Sequence, residues 1–161
     1  MKVYLASPLG FAASTKAFMD EIVDALSDHV VVVNPWDDHR FDDDFARAPG
    51  IDNRAERLAL YHRVNTELGR TNAASILSCD GMVAILDGVD VDSGTASEIG
   101  FAFAQGKRIY GLRTDFRLAG DNEGSIVNLQ VQYFIEASGG EIHTTVAGLT
   151  DAVRGWVAAS R

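Results

Sequence analysis

One cysteine, Cys79, occurs in 161 residues, so no intrachain disulfide can form, and a reducing compartment is the simplest fit. Cys79 precedes an apolar run, where a packing role outweighs a nucleophilic one. Basic residues are few: 14 Lys and Arg stand against 23 Asp and Glu, a formal charge of -9. Phosphates would be repelled, which argues against nucleic acid or an anionic membrane as the main partner. A small neutral substrate stays open. No apolar run approaches the ~18 residues needed to span a membrane. Residues 1–6 hold no apolar stretch of signal-peptide length. The expectation is a cytoplasmic protein with no membrane partner.

Several motifs are missing as well. There is no G-x-x-x-x-G-K-[ST], and no G-x-G-x-x-G after the first strand, so no phosphate cradle is expected. No serine sits in G-x-S-x-G. His29, His39, His62 and His143 show no metal-ligand spacing with one another or with Cys79. Neither a metal nor a cofactor is therefore expected.

What is present is alternation of strand and helix. Apolar residues make up 47% of the chain, enough for one domain over residues 1–161 with a full core. Residues 3–6 form a first buried strand ended by Ser7-Pro8. Ser14 reads as an N-cap before Phe18, Ile22, Val23 and Leu26 at helical spacing. Four valines at 30–33 read as a buried strand, because β-branching suits a sheet. Residues 38–50 lose all pattern and form an acidic loop, either functional or merely solvated. Helical spacing returns over 51–77, with Gly69 dividing two helices or kinking one. A third strand over 82–86 and a helix over 93–105 closed by Gly106 follow. A fourth strand spans 109–112, a polar loop 113–124 and a helix 127–137. A weak fifth strand near Ile142 and a helix over 149–158 complete the chain. This order implies a parallel sheet covered on both faces.

In such a sheet the carboxyl ends of the strands gather at one edge, where ligands bind. Ser7 and Pro8, Asn34 and Asp37, Asp87, Asp90 and Asp92, and Arg113, Asp115 and Asn122 collect there. Polar side chains without a basic excess suit hydroxyls and a neutral heterocycle better than phosphate. Trp36 beside them either stacks on a base or belongs to core or interface. The junction after the third strand is the best candidate site. Asp92 precedes the helix, Gly94 lets a ligand approach the backbone, and Glu98 follows in the first turns. Glu98 has two readings. It is a nucleophile, or it is the acid of a capping box, Thr95-x-x-Glu98. Asp92 likewise is a site residue or a plain N-terminal acid favoured by the helix dipole.

Tyr4-Leu5-Ala6-Ser7-Pro8, Asn34-Pro35-Trp36-Asp37, the run Asp92-Ser93-Gly94-Thr95-Ala96-Ser97-Glu98-Ile99-Gly100, and Asp121-Asn122-Glu123 followed by Asn128-Leu129 resemble the nucleoside 2-deoxyribosyltransferases. The resemblance runs along nearly the whole chain, and Asp-x-Gly-x-x-x-Glu-x-Gly is its most specific part. It implies a flavodoxin-like α/β fold, a three-layer sandwich around a five-stranded parallel sheet. It implies homo-oligomers, dimers or hexamers, whose sites are completed by a neighbouring subunit. The partners it implies are a 2-deoxynucleoside and a free nucleobase. Glu98 would attack the anomeric carbon, Tyr4 would orient it, and Asp92 would contact substrate and help manage the base proton. Asn128 would reach the sugar of a neighbouring site. Ser7, Asp37, Asn72 and Gly94 complete the expected substrate contacts.

Three positions depart from the family pattern. Asn72 stands where well-studied members carry an aspartate proposed as proton donor to the leaving base. Gln130 replaces a frequent methionine, and the chain ends Ala158-Ala159-Ser160-Arg161 where some members end in a tyrosine. Two other functions stand beside transfer: an N-glycoside hydrolase of deoxynucleosides or deoxynucleotides, where a deoxynucleotide would need Arg113 and Arg117 as phosphate contacts and the strand-end acids argue against it, and a non-catalytic nucleoside sensor.

Overall fold

A computed structural model describes residues 1–160; Arg161 of the C-terminal sequence lies outside them. Five parallel strands form one sheet in the order β2-β1-β3-β4-β5. They are β1 (Lys2–Ala6), β2 (Val31–Val33), β3 (Gly81–Ile85), β4 (Arg108–Leu112) and β5 (Ile142–His143). This is the order of the flavodoxin-like fold that the family resemblance implies. The helices are α1 (Ala13–Ser27), α2 (Asp42–Arg47), α3 (Arg54–Ser78), α4 (Ser93–Ala104), α5 (Leu129–Ala137) and α6 (Val146–Ala159).

Strand alternation sorts the core into two layers. Val3 and Leu5 of β1 and Val83 and Ile85 of β3 pack against α1 and α6. Tyr4 and Ala6, with Met82 and Ala84, face α3, α4 and α5. β3 is buried at every position, which is why it reads as a continuous apolar run. The parity that buries Leu5 on one side sends Tyr4 to the other, toward α4.

The structure corrects several boundaries. The valine strand is a sheet edge, not a buried strand: Val31 is 58% exposed, and pairing with β1 alone suffices to hold it. Ser14 is not an N-cap. Ala12 holds that position, and the Thr15 hydroxyl donates to the Leu9 and Ala12 carbonyls instead. The acidic loop contains α2 and a 3-10 turn, Ala48–Gly50. Asp42, Asp43 and Asp44 fill the first turn of α2, where the helix dipole favours acids. Asp44 also accepts from Arg47 and, across to α3, from Arg63. α3 starts three residues later than expected, capped by Asn53, and runs unbroken through Gly69. α5 begins at Leu129 because the Asn128 side chain caps it.

No helix among the described residues is long and apolar enough to cross a membrane.

Candidate active site

A cavity of about 660 Å³ opens at the carboxyl edge of β1 and β2. Its floor is the N-terminal part of α4, with Asp92, Gly94, Thr95 and Glu98. Ser7, Gly10, Phe11 and Lys16 come from the β1–α1 connection and α1, and Pro35 and Trp36 from the turn after β2. Asp38, His39, Phe41, Asp42 and Phe45 line it from the segment around α2. α3 contributes Asn65, Leu68 and Asn72, spaced so that one helix face looks inward.

Glu98 is held from two sides. The buried Tyr4 hydroxyl donates to its Oε1 at 2.6 Å, and Asn72 Nδ2 donates to the same oxygen at 3.4 Å. No group among the described residues donates to Oε2. Burial pushes the Glu98 carboxyl above the usual carboxylate range; the charge of Asp92 adds to the rise, and the Tyr4 and Asn72 hydrogen bonds oppose it. Burial likewise raises the Tyr4 phenol, and its bond to Glu98 adds to that shift, so Tyr4 stays a donor.

The capping-box alternative for Glu98 does not hold. Asp92 is the N-cap of α4: its Oδ2 accepts from the Thr95 amide at 3.0 Å and from the Thr95 hydroxyl at 3.4 Å. Glu98 turns to Tyr4 instead, one turn into the helix. Asp92 is thus both a cap and a wall of the cavity.

The structure brings together Tyr4, Ser7, Asn72, Asp92, Gly94 and Glu98. It does not bring Asp37 or Asn128 to this cavity. Asp37 accepts from the Asn34 amide at 3.1 Å within its own exposed turn. Asn128 is half-buried at the start of α5, accepting from the Gln130 amide.

The rest of the strand-end set staples loops. Asp87 accepts from the Thr114 amide and hydroxyl and the Asp115 amide. Arg113 is buried and donates to the carbonyls of Leu86, Gly88 and Arg117. Arg117 pairs with Asp115, whose carboxyl it holds well below the usual range. Neither arginine reaches the cavity as a phosphate contact.

Trp36 is part of the cavity wall and packs against the core as well. Its indole N–H donates to the Ser7 carbonyl at 2.8 Å, and Phe11 meets it edge-on with ring centroids 4.7 Å apart. A Cβ at residue 10 would sit 2.0 Å from the Trp36 ring, so only glycine lets the indole lie there. Lys16, His39, Phe41, Phe45, Asn65 and Leu68 escaped sequence reasoning. The Asn65, Leu68, Asn72 spacing is a usable signal for α3; around α2 the only signal is the loss of pattern over 38–50, which marks a segment and singles out no residue.

Among the described residues no three His, Cys, Asp or Glu side chains are grouped to hold a metal ion.

No curated protein matches the chain. Solved structures of the same fold include a 2-desoxiribosyltransferase from Leishmania mexicana, 20% identical, covering 98% of this chain and 97% of that one, with a TM-score of 0.64. A 2-deoxyribosyltransferase from Bacillus psychrosaccharolyticus is 17% identical, with 98% and 96% covered and a TM-score of 0.62. A CMP N-glycosidase from Clostridium botulinum is 18% identical, with 97% and 99% covered and a TM-score of 0.53. At these identities the likeness shows the fold. The family model for nucleoside 2-deoxyribosyltransferase matches residues 3–130, including every element that lines the cavity. By that match the chain belongs to the nucleoside 2-deoxyribosyltransferase family.

Proposed function

We propose that this protein moves 2-deoxyribose from one nucleobase to another through a covalent deoxyribosyl-Glu98 intermediate. The reading rests above all on one observation: Tyr4 and Asn72 both bond Oε1 of Glu98, a residue that lines the cavity, and among the described residues nothing donates to Oε2. A carboxylate fixed by one oxygen and open at the other is arranged as a nucleophile.

In the first step Oε2 attacks the anomeric carbon of a deoxynucleoside. The electron pair of the N-glycosidic bond leaves with the base, which takes up a proton. In the second step an incoming base attacks from the vacated side, loses a proton and frees Glu98. Two inversions give retention, as in a retaining glycosidase with an oxocarbenium-like transition state. Tyr4 positions the nucleophile without touching substrate. Asp92 contacts substrate and helps manage the base proton. Ser7, Asn72 and Gly94 line the same space, and Trp36 offers a face on which a base can stack. Asp37, 2 residues beyond the turn's first proline, remains a substrate contact only if ligand binding draws its side chain from Asn34.

The functional form proposed is a homo-oligomer, dimer or hexamer, in which Asn128 of a neighbouring copy reaches the sugar. Its position outside its own chain's cavity is compatible with that role. Incubation with a deoxynucleoside and a different free base tests the reading. Exchange of the base supports transfer. Release of free deoxyribose alone, whatever base is offered, points to the hydrolase reading; binding without turnover points to a sensor.

A further inference from the structure

Resting on that reading, we propose that His39 is the general acid that protonates the departing base and the general base that deprotonates the incoming one. The first half-reaction needs a proton at the leaving nitrogen. Asn72, the neighbour of Glu98 on α3, carries an amide and cannot supply one. Asp92 acts as an acceptor at the N-terminus of α4, taking the Thr95 amide and hydroxyl on Oδ2, so its part in managing the base proton is to hold the base in place and not to supply the proton. Glu98 is the nucleophile. Among the remaining cavity-lining side chains His39 carries an imidazole, a group that can both give and take a proton.

Its setting fits that task. Nδ1 of His39 lies 3.0 Å from Oδ2 of Asp42, the first residue of α2. A carboxylate there only accepts, so Nδ1 keeps its proton and Nε2 is the exchanging atom. Nε2 has no protein partner among the described residues. The flanking chain is tethered: Arg40 pairs with Asp38 at 2.6 Å and donates to Thr71 of α3 at 2.8 Å. The charged groups beside His39 are Asp42 on α2 and Asp38 and Arg40 on its own segment, and Lys16 of α1, Asp92 at the N-cap of α4 and Glu98 of α4 line the same cavity. α3 presents only neutral Asn65, Leu68 and Asn72 to the cavity.

The proton count closes. Imidazolium His39 gives the Nε2 proton to the base nitrogen as the glycosidic electron pair moves there and Oε2 bonds the anomeric carbon. Neutral His39 then takes the proton of the second base as its nitrogen attacks that carbon and the Oε2 bond breaks.

The test compares two leaving groups in the full-length protein. Turnover of natural deoxynucleosides and of 2-deoxyribosyl fluoride, which needs no protonation of a base to depart, is measured for the native protein, His39→Gln and Asp42→Asn. His39 is 74% exposed in its side chain, so His39→Gln leaves the fold intact. Expected is a loss of about 10²-fold or more on deoxynucleosides with the rate of adduct formation from the fluoride within a few-fold of native. Asp42→Asn is expected to lower deoxynucleoside turnover by a smaller factor than His39→Gln, with the fluoride rate again near native, because the imidazole loses the carboxylate that orients it. Equal loss on both substrates, or unchanged turnover of deoxynucleosides, overturns the proposal. If the native protein forms no adduct with either substrate, the nucleophile reading itself fails, a result distinguishable from failure at His39.

Discussion

Tyr4 and Glu98 stand 94 positions apart in sequence and 2.6 Å apart in space, phenol to carboxylate. The register of β1 creates the pair. Tyr4 faces α4 because Val3 and Leu5 face α1 and α6. Glu98 meets it because Asp92, and not Thr95, caps α4. The hydrogen bond steadies Oε1, the oxygen that in the proposed mechanism does not attack.

Tyr4→Phe keeps the ring in the core and removes only the donor. The expected result is a fall in kcat/KM of about 10- to 100-fold, matching a lost hydrogen bond to a charged group worth about 1.5–3 kcal/mol. The same bond favours the charged form of Glu98. Without it the carboxyl rises further, so the acidic limb of the pH–rate profile moves to higher pH. An acidic limb that stays in place would show that Glu98 is not the group it reports.

Asp92 has two jobs that substitutions can separate. Asn caps helices as well as Asp, so Asp92→Asn should leave the melting temperature nearly unchanged while activity falls. Asp92→Ala should lose activity and about 0.5–2 kcal/mol of stability besides. Thermal melts beside base-exchange rates for the two variants check this.

Gly10→Ala drives a methyl group into the Trp36 indole, 2.0 Å from its ring. The indole must move and strain its bond to the Ser7 carbonyl. The expected cost is about 1–3 kcal/mol of stability, as for other overpacked sites, with KM raised more than kcat lowered. Chemical denaturation and steady-state kinetics report the two effects.

Glu98→Gln should abolish transfer, by on the order of 10⁴-fold or more, and stabilise the fold at neutral pH. The sign follows from the raised Glu98 carboxyl, for which burial is the main cause. The folded state holds that proton more tightly than the unfolded one. The stability contributed by protonated Glu98 is therefore fully present below the unfolded value of 4.5 and lost as pH rises through the higher folded value. The native protein should melt below Glu98→Gln near pH 7, and the gap should close as pH falls below about 4.5.

Much of this was legible in the residues. β3 announced itself because it is buried throughout, and Gly106 marked the end of α4, with φ +68. The Asp92 to Glu98 junction read as a site because a strand-end acid, a glycine and a first-turn acid coincide there. Only the family resemblance points to Tyr4 as the partner of Glu98; spacing alone has no way to pair residues 94 apart. The valines of β2 looked buried because β-branching signals strand, not depth, and an edge strand carries the same letters. The segment around α2 stayed opaque for another reason. α2 buries no side chain, so it has no apolar stripe. It is held by Arg63 reaching Asp44 and by Phe41 and Ile51 packing near Leu60 and Val64, contacts that only the folded chain supplies. His39, the residue it brings to the cavity, has no sequence neighbour whose spacing sets it apart from a surface histidine.

The central claim is that Glu98 forms a bond to the sugar. The most direct measurement is intact-protein and peptide mass spectrometry after rapid quenching of the protein with a deoxynucleoside and no acceptor base. The predicted result is a mass increase of one deoxyribosyl group, carried by the peptide containing Glu98 and absent from Glu98→Gln. Turnover without any adduct on that peptide, or an adduct that survives in Glu98→Gln, would contradict it.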